Sequence, residues 1–451
     1  AAEKGIDLFR IFDSLNIVEN MRVSIDSVLE ANKLVEGTVC YTSDIFDASR
    51  PKYQLGYYVK LAKELEKAGA HIIGIKDMSG VCRPEAARVL VKALKEEVGL
   101  PIHFHTHDTS GLSAATVLAA IEAGVDAVDA AMDSLSGLTS QPPMGSIIHA
   151  LKGTERASRI NVDAMHEIST YWEGVRSIYA PFESTLRSGT SDVYNHEMPG
   201  GQYTNLREQA RSMGLEPRWN EVSKSYAEVN KLLGDIVKVT PSSKVVGDMA
   251  LMMVTQDLTA ADVVDPDREI AFPQSVIGLL KGELGIPEGG FPEDITKKAL
   301  KDEKQIVGRP GAHLPPADLV AEKENLESYL GYEVTDADLA AYLMYPAVFK
   351  GFKANVEKYG NLSNIPSKVF FYGPEKDTYH TIELDHGKDL LIKLLAISLP
   401  DATGHCNVFF ELNGETRAFS IQKNDLVKDL PMREKREKGN HHQVAAMMPG
   451  V

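Results

Sequence analysis

Lys76, His105 and His107 are the three side chains whose types and spacing best suit a metal centre. His105 and His107 lie one residue apart in PIHFHTHDTSG (101–111). Alternate residues of a strand share a face, so both imidazoles project the same way and can grip one cation. His103 is on that face one step deeper and reads as a packed core histidine. Lys76 interrupts the apolar run HIIGIKDM (71–78), where an ammonium is costly to bury unless it is paired, neutralised or chemically altered. An ammonium has no lone pair for a metal, whereas a lysine carbamylated by CO2 offers a carboxylate-like oxygen and escapes the burial cost. An H-x-H pair alone serves a structural role as readily as a metal. Beside Lys76 and several strand-end carboxylates it suits zinc, manganese or cobalt with positions open to substrate. Asp77 points to the opposite face and reads as a structural acceptor for backbone or a helix terminus.

The bulk properties narrow the function classes. The chain has 451 residues, 43% of them hydrophobic and 25% charged, enough for two or three soluble domains. With 64 acidic against 48 basic residues the net charge is -16, which excludes nucleic acid and anionic membrane as main partners. Three scattered cysteines, Cys40, Cys82 and Cys406, form neither a disulfide framework nor a zinc ribbon and point to a reducing compartment. Cys82 has no base that spacing can match to it. No apolar run reaches the roughly 18 residues of a membrane span, and no nucleotide-binding glycine motif occurs. The opening AAEKGIDLFRIFD reads as the interior of a domain, not a targeting peptide.

The elements that must position these residues follow a repeated βα pattern. Strands are expected at 6–13, 34–44, 71–78, 102–108, 127–133 and 190–198, with helical periodicity at 57–70, 85–99 and 113–125. Asp13, Asp44, Lys76, His107, Asp133 and Asn195 all fall at or just past strand ends. One shared C-terminal face is where a (β/α)8 barrel builds its site. Six strands where eight are needed predict a TIM barrel lacking its first two. From about 206 to 348 the pattern is helical, predicting an all-α extension packed on the barrel. There Pro241 ends a helix over 224–239, and Ser242 or Ser243 caps the next over 245–257. GIPEGGFPED (285–294) reads as a loop. A small antiparallel β domain is expected over 349–424, beginning with KVFFYG and including a hairpin turn at Asn413-Gly414. A charged linker and the first strand of another domain fill 425–451.

FRIFDSLN (9–16), GIKDMSG (74–80), HFHTHDTSG (103–111), DSLSGLTSQPPMGS (133–146), SDVYNHEMPGGQYTNL (191–206) and VTPSSKVVGDMA (239–250) together resemble the carboxyltransferase region of the pyruvate carboxylase family. The likeness runs over essentially the whole chain, and it is weaker to oxaloacetate decarboxylase and transcarboxylase subunits built on the same barrel.

The resemblance implies carbamylated Lys76, His105 and His107 as ligands of a divalent metal, and Thr240 as a proton shuttle between pyruvate and biotin. Read alone, Thr240 is an ordinary helix-end residue. Ser243 is implied in holding the ureido ring, while Asp13 and Asp133 are either partners that orient ligands or ordinary barrel caps. The implied reaction moves CO2 from carboxybiotin to pyruvate, giving oxaloacetate. The implied partners are a biotin carrier domain and a homotetramer, in a bacterial cytoplasm or a mitochondrial matrix. By the same resemblance a fourth ligand, an aspartate, and the pyruvate-binding arginines and glutamine lie upstream of Ala1. A domain using ATP and bicarbonate, and the biotin lysine expected soon after AAMMPGV, also lie outside the chain. The competing classes are a non-catalytic assembly segment and a Claisen-type aldolase barrel with an H-x-H metal pair.

Overall fold

The computed structural model describes residues 1–401 and 403–423. Five short segments pair in parallel, in the order β1-β2-β3-β4-β5: β1 Leu8–Ile11, β2 Leu34–Cys40, β3 Ile72–Asp77, β4 Ile102–Thr106 and β5 Ala127–Val128. Parallel neighbours need crossovers, supplied by α1 (Val18–Glu30), α2 (Leu55–Lys67), α3 (Pro84–Glu97) and α4 (Ser113–Glu122). Each helix turns one apolar stripe to the sheet: Met21, Ile25 and Val28 from α1, Tyr58, Leu61 and Leu65 from α2, and Leu90, Val91 and Leu94 from α3. These residues join Val35, Val39, Ile73, Ile75 and Phe104 of the strands in one core. The strands read apolar because helices cover them, and the region has the TIM-barrel architecture expected of it.

Two expected strands are corrected. Residues 190–198 form the short helix Val193–His196, because the carbonyl of Asp192 accepts from the amides of Asn195 and His196 and its carboxylate accepts from Asn195 Nδ2. Turn chemistry there outweighs alternation. The segment expected over 127–133 is a strand only at Ala127–Val128, and Asp133 begins a 3-10 turn. That shortening relocates the strand end from Asp133 to Asp129.

The helical part also departs from expectation. Helix Trp219–Leu232 ends well before Pro241, and the next helix, Ser242–Thr255, has Pro241 at its N-cap position with no side-chain capping bond. Ser242 instead lies with its Oγ 2.7 Å from the carbonyls of both Val237 and Val239, tying down the intervening loop. The Tyr203, Leu206, Tyr226, Val229, Val246 and Met249 side chains form a second core.

The chain divides into two compact units, Ala1–Pro316 and Ala317–Val451, so the boundary falls inside the stretch expected to be one helical extension. Leu326, Val334, Leu339 and Phe349 share a small core of the second unit, which places Phe349 with the helices and not at the head of a β domain. KVFFYG, expected as a strand, lies within helix Ser367–Tyr372 and its cap; a short apolar run does not by itself distinguish the two. The antiparallel sheet then runs β6 Tyr379–Asp385, β7 Lys388–Ile397, β8 His405–Leu412 and β9 Glu415–Gln422. The linker and strand expected over 425–451 lie outside the described residues.

Asn413 and Gly414 join β8 to β9 with φ of 48° and 86°, the left-handed pair a two-residue hairpin of this twist requires. A Cβ on Gly414 would meet nothing within 4 Å, so its cost is conformational alone. Gly414→Ala is therefore expected to destabilise the sheet by about 1–2 kcal/mol, measurable by urea denaturation.

Candidate metal centre

The register of the barrel strands stacks two polar layers. Lys76 on β3 pairs with His105 on β4, and one step beneath them Gly74 pairs with His103. The lower layer is charged. Arg10 donates through Nε to Glu36 at 2.6 Å and through Nη1 to Asp129 at 2.8 Å. His103 places Nδ1 3.0 Å from Glu36 and Nε2 2.8 Å from Asp129. A carboxylate on each ring nitrogen makes both of them donors, so His103 is an imidazolium. Burial opposes that charge, but the bonds to Asp129 and Glu36 prevail and raise its pKa to about 9. Arg10 Nη2 approaches the same ring at 3.2 Å, a contact of like charges tolerated because Glu36 and Asp129 each bond both cations. Two cations and two anions balance, and His103 is an ion-pair member, not the packed core histidine expected.

Gly74 is what lets Glu36 reach His103 across β3. A Cβ there would sit 2.5 Å from both Glu36 Oε1 and Thr38 Oγ1.

In the upper layer His105 Nδ1 lies 2.7 Å from Asp129 Oδ2, and His107 Nδ1 lies 2.7 Å from the carbonyl of Thr139. Both partners only accept, so each Nδ1 carries the proton and each Nε2 keeps its lone pair. The two Nε2 atoms face each other at 3.3 Å. Burial lowers the pKa of both rings, His107 to about 4 with its neighbour His105 adding to the effect. Neutral lone pairs at that distance suit a shared cation. Two nitrogens each ~2.0–2.1 Å from one tetrahedral ion lie ~3.3 Å apart.

Lys76 is half-buried on the same face, its Nζ 5.1 Å from the centre of the Phe12 ring, and burial lowers its pKa. Among the described residues, no three His, Cys, Asp or Glu side chains are grouped to hold an ion.

The remaining expected site residues lie elsewhere. Thr240 is exposed and lines a cleft of about 360 Å³ with Phe12, Asp13 and Arg309. Phe12 links that cleft to Lys76. Ser243 is fully buried, and its hydroxyl makes no hydrogen bond among the described residues. Asp13 accepts from the amides of Leu15 and Ile17 and from Asn20 Nδ2. Asp133 accepts from the amide of Gly145, near the start of helix Met144–Ala150. Both therefore serve turns and helix starts, and neither bonds His105, His107 or Lys76. Asp77 accepts from the amides of Val81 and Cys82 and from Thr106 Oγ1, the structural role expected.

Sequence reasoning missed Asp129, Arg10 and Glu36. Asp129 was visible as the acid directly after the apolar pair Ala127–Val128, whose register with His103 and Phe104 carries it to the level of His105.

A model described as HMGL-like matches residues 5–171, and one described as a conserved carboxylase domain matches residues 193–393. The pyruvate carboxylase of Bacillus subtilis (strain 168) is 47% identical over 451 residues, covering 100% of this chain and 39% of its own length. Human mitochondrial pyruvate carboxylase is 45% identical over 453 residues, covering 100% of this chain and 38% of its own. The chain thus spans about two fifths of these relatives. The carboxyl transferase domain of Rhizobium etli pyruvate carboxylase, solved with pyruvate and biocytin, superposes with a TM-score of 0.91 at 58% identity, covering 94% of this chain and 71% of that one. No described helix is long and apolar enough to cross a membrane. The parallel barrel strands, the H-x-H pair beside Lys76 and these likenesses agree: the chain belongs to the pyruvate carboxylase family and corresponds to its carboxyl transferase region.

Proposed function

We propose that the chain carries the carboxyl-transfer half of the pyruvate carboxylase reaction, in which pyruvate takes CO2 from carboxybiotin to become oxaloacetate. The observation that carries this reading is the pair of Nε2 atoms 3.3 Å apart on His105 and His107, each ring having its Nδ1 against an acceptor, with Lys76 in register with His105. That donor set fits a divalent zinc or manganese ion, with Lys76 as a third ligand once its neutral amine adds CO2 and loses a proton. When bound, the metal supplies a Lewis acid for the pyruvate carbonyl.

The chain's own groups handle the proton. As the bond from the biotin ureido nitrogen to its carboxyl carbon breaks, Thr240 Oγ1 gives its proton to that nitrogen and takes one from the pyruvate methyl. A hydroxyl can do both because it donates and accepts. The resulting enolate carbon then bonds the released CO2. Ser243 is assigned to the ureido ring in this reading; its buried hydroxyl, which has no hydrogen-bond partner among the described residues, is what supports that role once the ring's arrival uncovers it. The biotin arrives on a carrier domain and is recharged by chemistry using ATP and bicarbonate. A homotetramer is the implied assembly, and a bacterial cytoplasm or a mitochondrial matrix the implied location. Pyruvate and biocytin in the Rhizobium etli neighbour support the substrate pair.

Within the intact enzyme, Lys76→Ala is expected to remove bound zinc or manganese and to abolish pyruvate-dependent oxaloacetate formation, while ATP-dependent carboxylation of biotin continues. Full oxaloacetate formation by that variant would refute the assignment.

A further inference from the structure

Among the described residues Asp129 is the one group that bonds both polar layers. Its Oδ1 meets His103 at 2.8 Å, and its Oδ2 is shared by Arg10 at 2.8 Å and His105 at 2.7 Å. Its backbone amide donates to the carbonyl of Phe104 at 3.0 Å, which fixes its position against β4. Arg10 and His103 are themselves held by Glu36, which is 1% exposed. The carboxylate therefore has little freedom to turn away from His105.

We propose that Asp129 is a positioning residue that holds His105 in the tautomer protonated on Nδ1, so that Nε2 is free for a metal, and that the charged layer of Arg10, Glu36 and His103 exists to hold Asp129 there. This inference rests on His105 being a metal ligand. A carboxylate behind a ligating imidazole sets both tautomer and ring orientation, and its loss typically costs about 10- to 100-fold in metal affinity. His107 is served differently, by the carbonyl of Thr139. Its tautomer is independent of Asp129, which makes it an internal control.

Asp129→Ala makes the sharpest variant because it removes the acceptor from His105 Nδ1, whose proton can then sit on Nε2 and be accepted by His107 Nε2 at 3.3 Å. Asp129→Asn is the milder variant: Arg10 donates to the same oxygen as His105, so the amide turns its oxygen to that side, still accepts from His105 Nδ1, and sets its NH2 against His103. With histidine labelled in 15N, metal-free wild-type chain is expected to show both His105 and His107 protonated on Nδ1. In Asp129→Ala, His105 is expected to move its proton toward Nε2 while His107 keeps Nδ1–H, and in Asp129→Asn both are expected to keep Nδ1–H. Zn2+ affinity, read by competition with a chromophoric chelator, is expected to fall about 10- to 100-fold in Asp129→Ala and less in Asp129→Asn.

An unchanged His105 tautomer with wild-type Zn2+ affinity in Asp129→Ala overturns the proposal. So does Nε2–H on His105 in the wild-type chain, a measurement that requires no variant to fold. Failure of the metal assignment looks different: the wild-type chain would bind no Zn2+ although His105 and Asp129 still showed the tautomer coupling.

Discussion

Thr240→Ala is expected to slow oxaloacetate formation by about 10²- to 10⁴-fold, the range that a positioned proton-transfer group supplies, without reducing bound metal. Thr240 is exposed at the edge of the cleft that Phe12 and Asp13 also line, and its hydroxyl makes no hydrogen bond among the described residues. Truncating an exposed side chain of that kind changes stability by only about ±0.5 kcal/mol, so a large kinetic loss would report on chemistry. The loss belongs in kcat with KM for pyruvate little changed, because the hydroxyl acts on the methyl proton in the transition state. Thr240→Ser keeps the hydroxyl and is expected to recover most of the rate. A serine variant no better than alanine, or an alanine variant within a few-fold of wild type, would remove Thr240 from the proton path.

The parallel barrel strands could be read in the sequence because burial on both faces leaves runs such as Ile72–Ile75 almost wholly apolar, and because α2 and α3 repeat their buried residues at helical spacing. Alternation failed where local hydrogen bonding competed with it. Asp192 and Asn195 close a helical turn on each other inside 190–198, and Lys368–Tyr372 packs aromatic residues too densely for period alone to decide. Pro241 misled in a related way. A proline marks where a helix cannot continue, but helix Trp219–Leu232 had already ended, and the loop before Pro241 is held by Ser242.

The candidate site was legible to the extent that its residues share one strand face. His105 and His107 follow from period two, and Lys76 stands out because a cation in an apolar strand demands a reason. Asp129 was passed over for Asp133 because strand length cannot be judged from AVDAAMD alone, and a shift in the assumed strand end moves the choice of carboxylate. Arg10 and Glu36 gave no pattern at all. They come from β1 and β2, where Arg10 pairs with Glu36 and Glu36 with Ile72, and Glu36 reaches His103 only diagonally, past Gly74 two residues further along β3. An ion cluster assembled from several strands has no local spacing to betray it. Gly74 was equally silent, since a strand glycine signals close approach without naming what approaches.

Gly74→Ala is expected to destabilise the chain by about 3–5 kcal/mol, the range for breaking a buried ion pair by displacing one partner. The methyl would arrive 2.5 Å from Glu36 Oε1 and from Thr38 Oγ1. Thr38 is buried and its Cγ2 lies at 3.1 Å, so that side chain must shift as well, and Glu36 is held between Arg10 at 2.6 Å and His103 at 3.0 Å and has no second place to put its charge. Gly37 on β2 offers the contrast. A Cβ there meets Ala70 Cβ at 3.0 Å and Leu65 Cβ at 3.2 Å, all apolar, so Gly37→Ala should cost only the about 1–3 kcal/mol of overpacking. Urea denaturation of both variants, and of Gly74→Ala combined with Glu36→Ala, distinguishes clash from propensity. If Glu36 is what Gly74 accommodates, the glycine substitution becomes far cheaper once Glu36 is gone, leaving a coupling of about 0.5–3 kcal/mol between the two. Simple additivity would mean that the glycine serves the strand and not the ions. Coupling would tie a missing side chain on β3 to the carboxylate that holds the layer beneath His105.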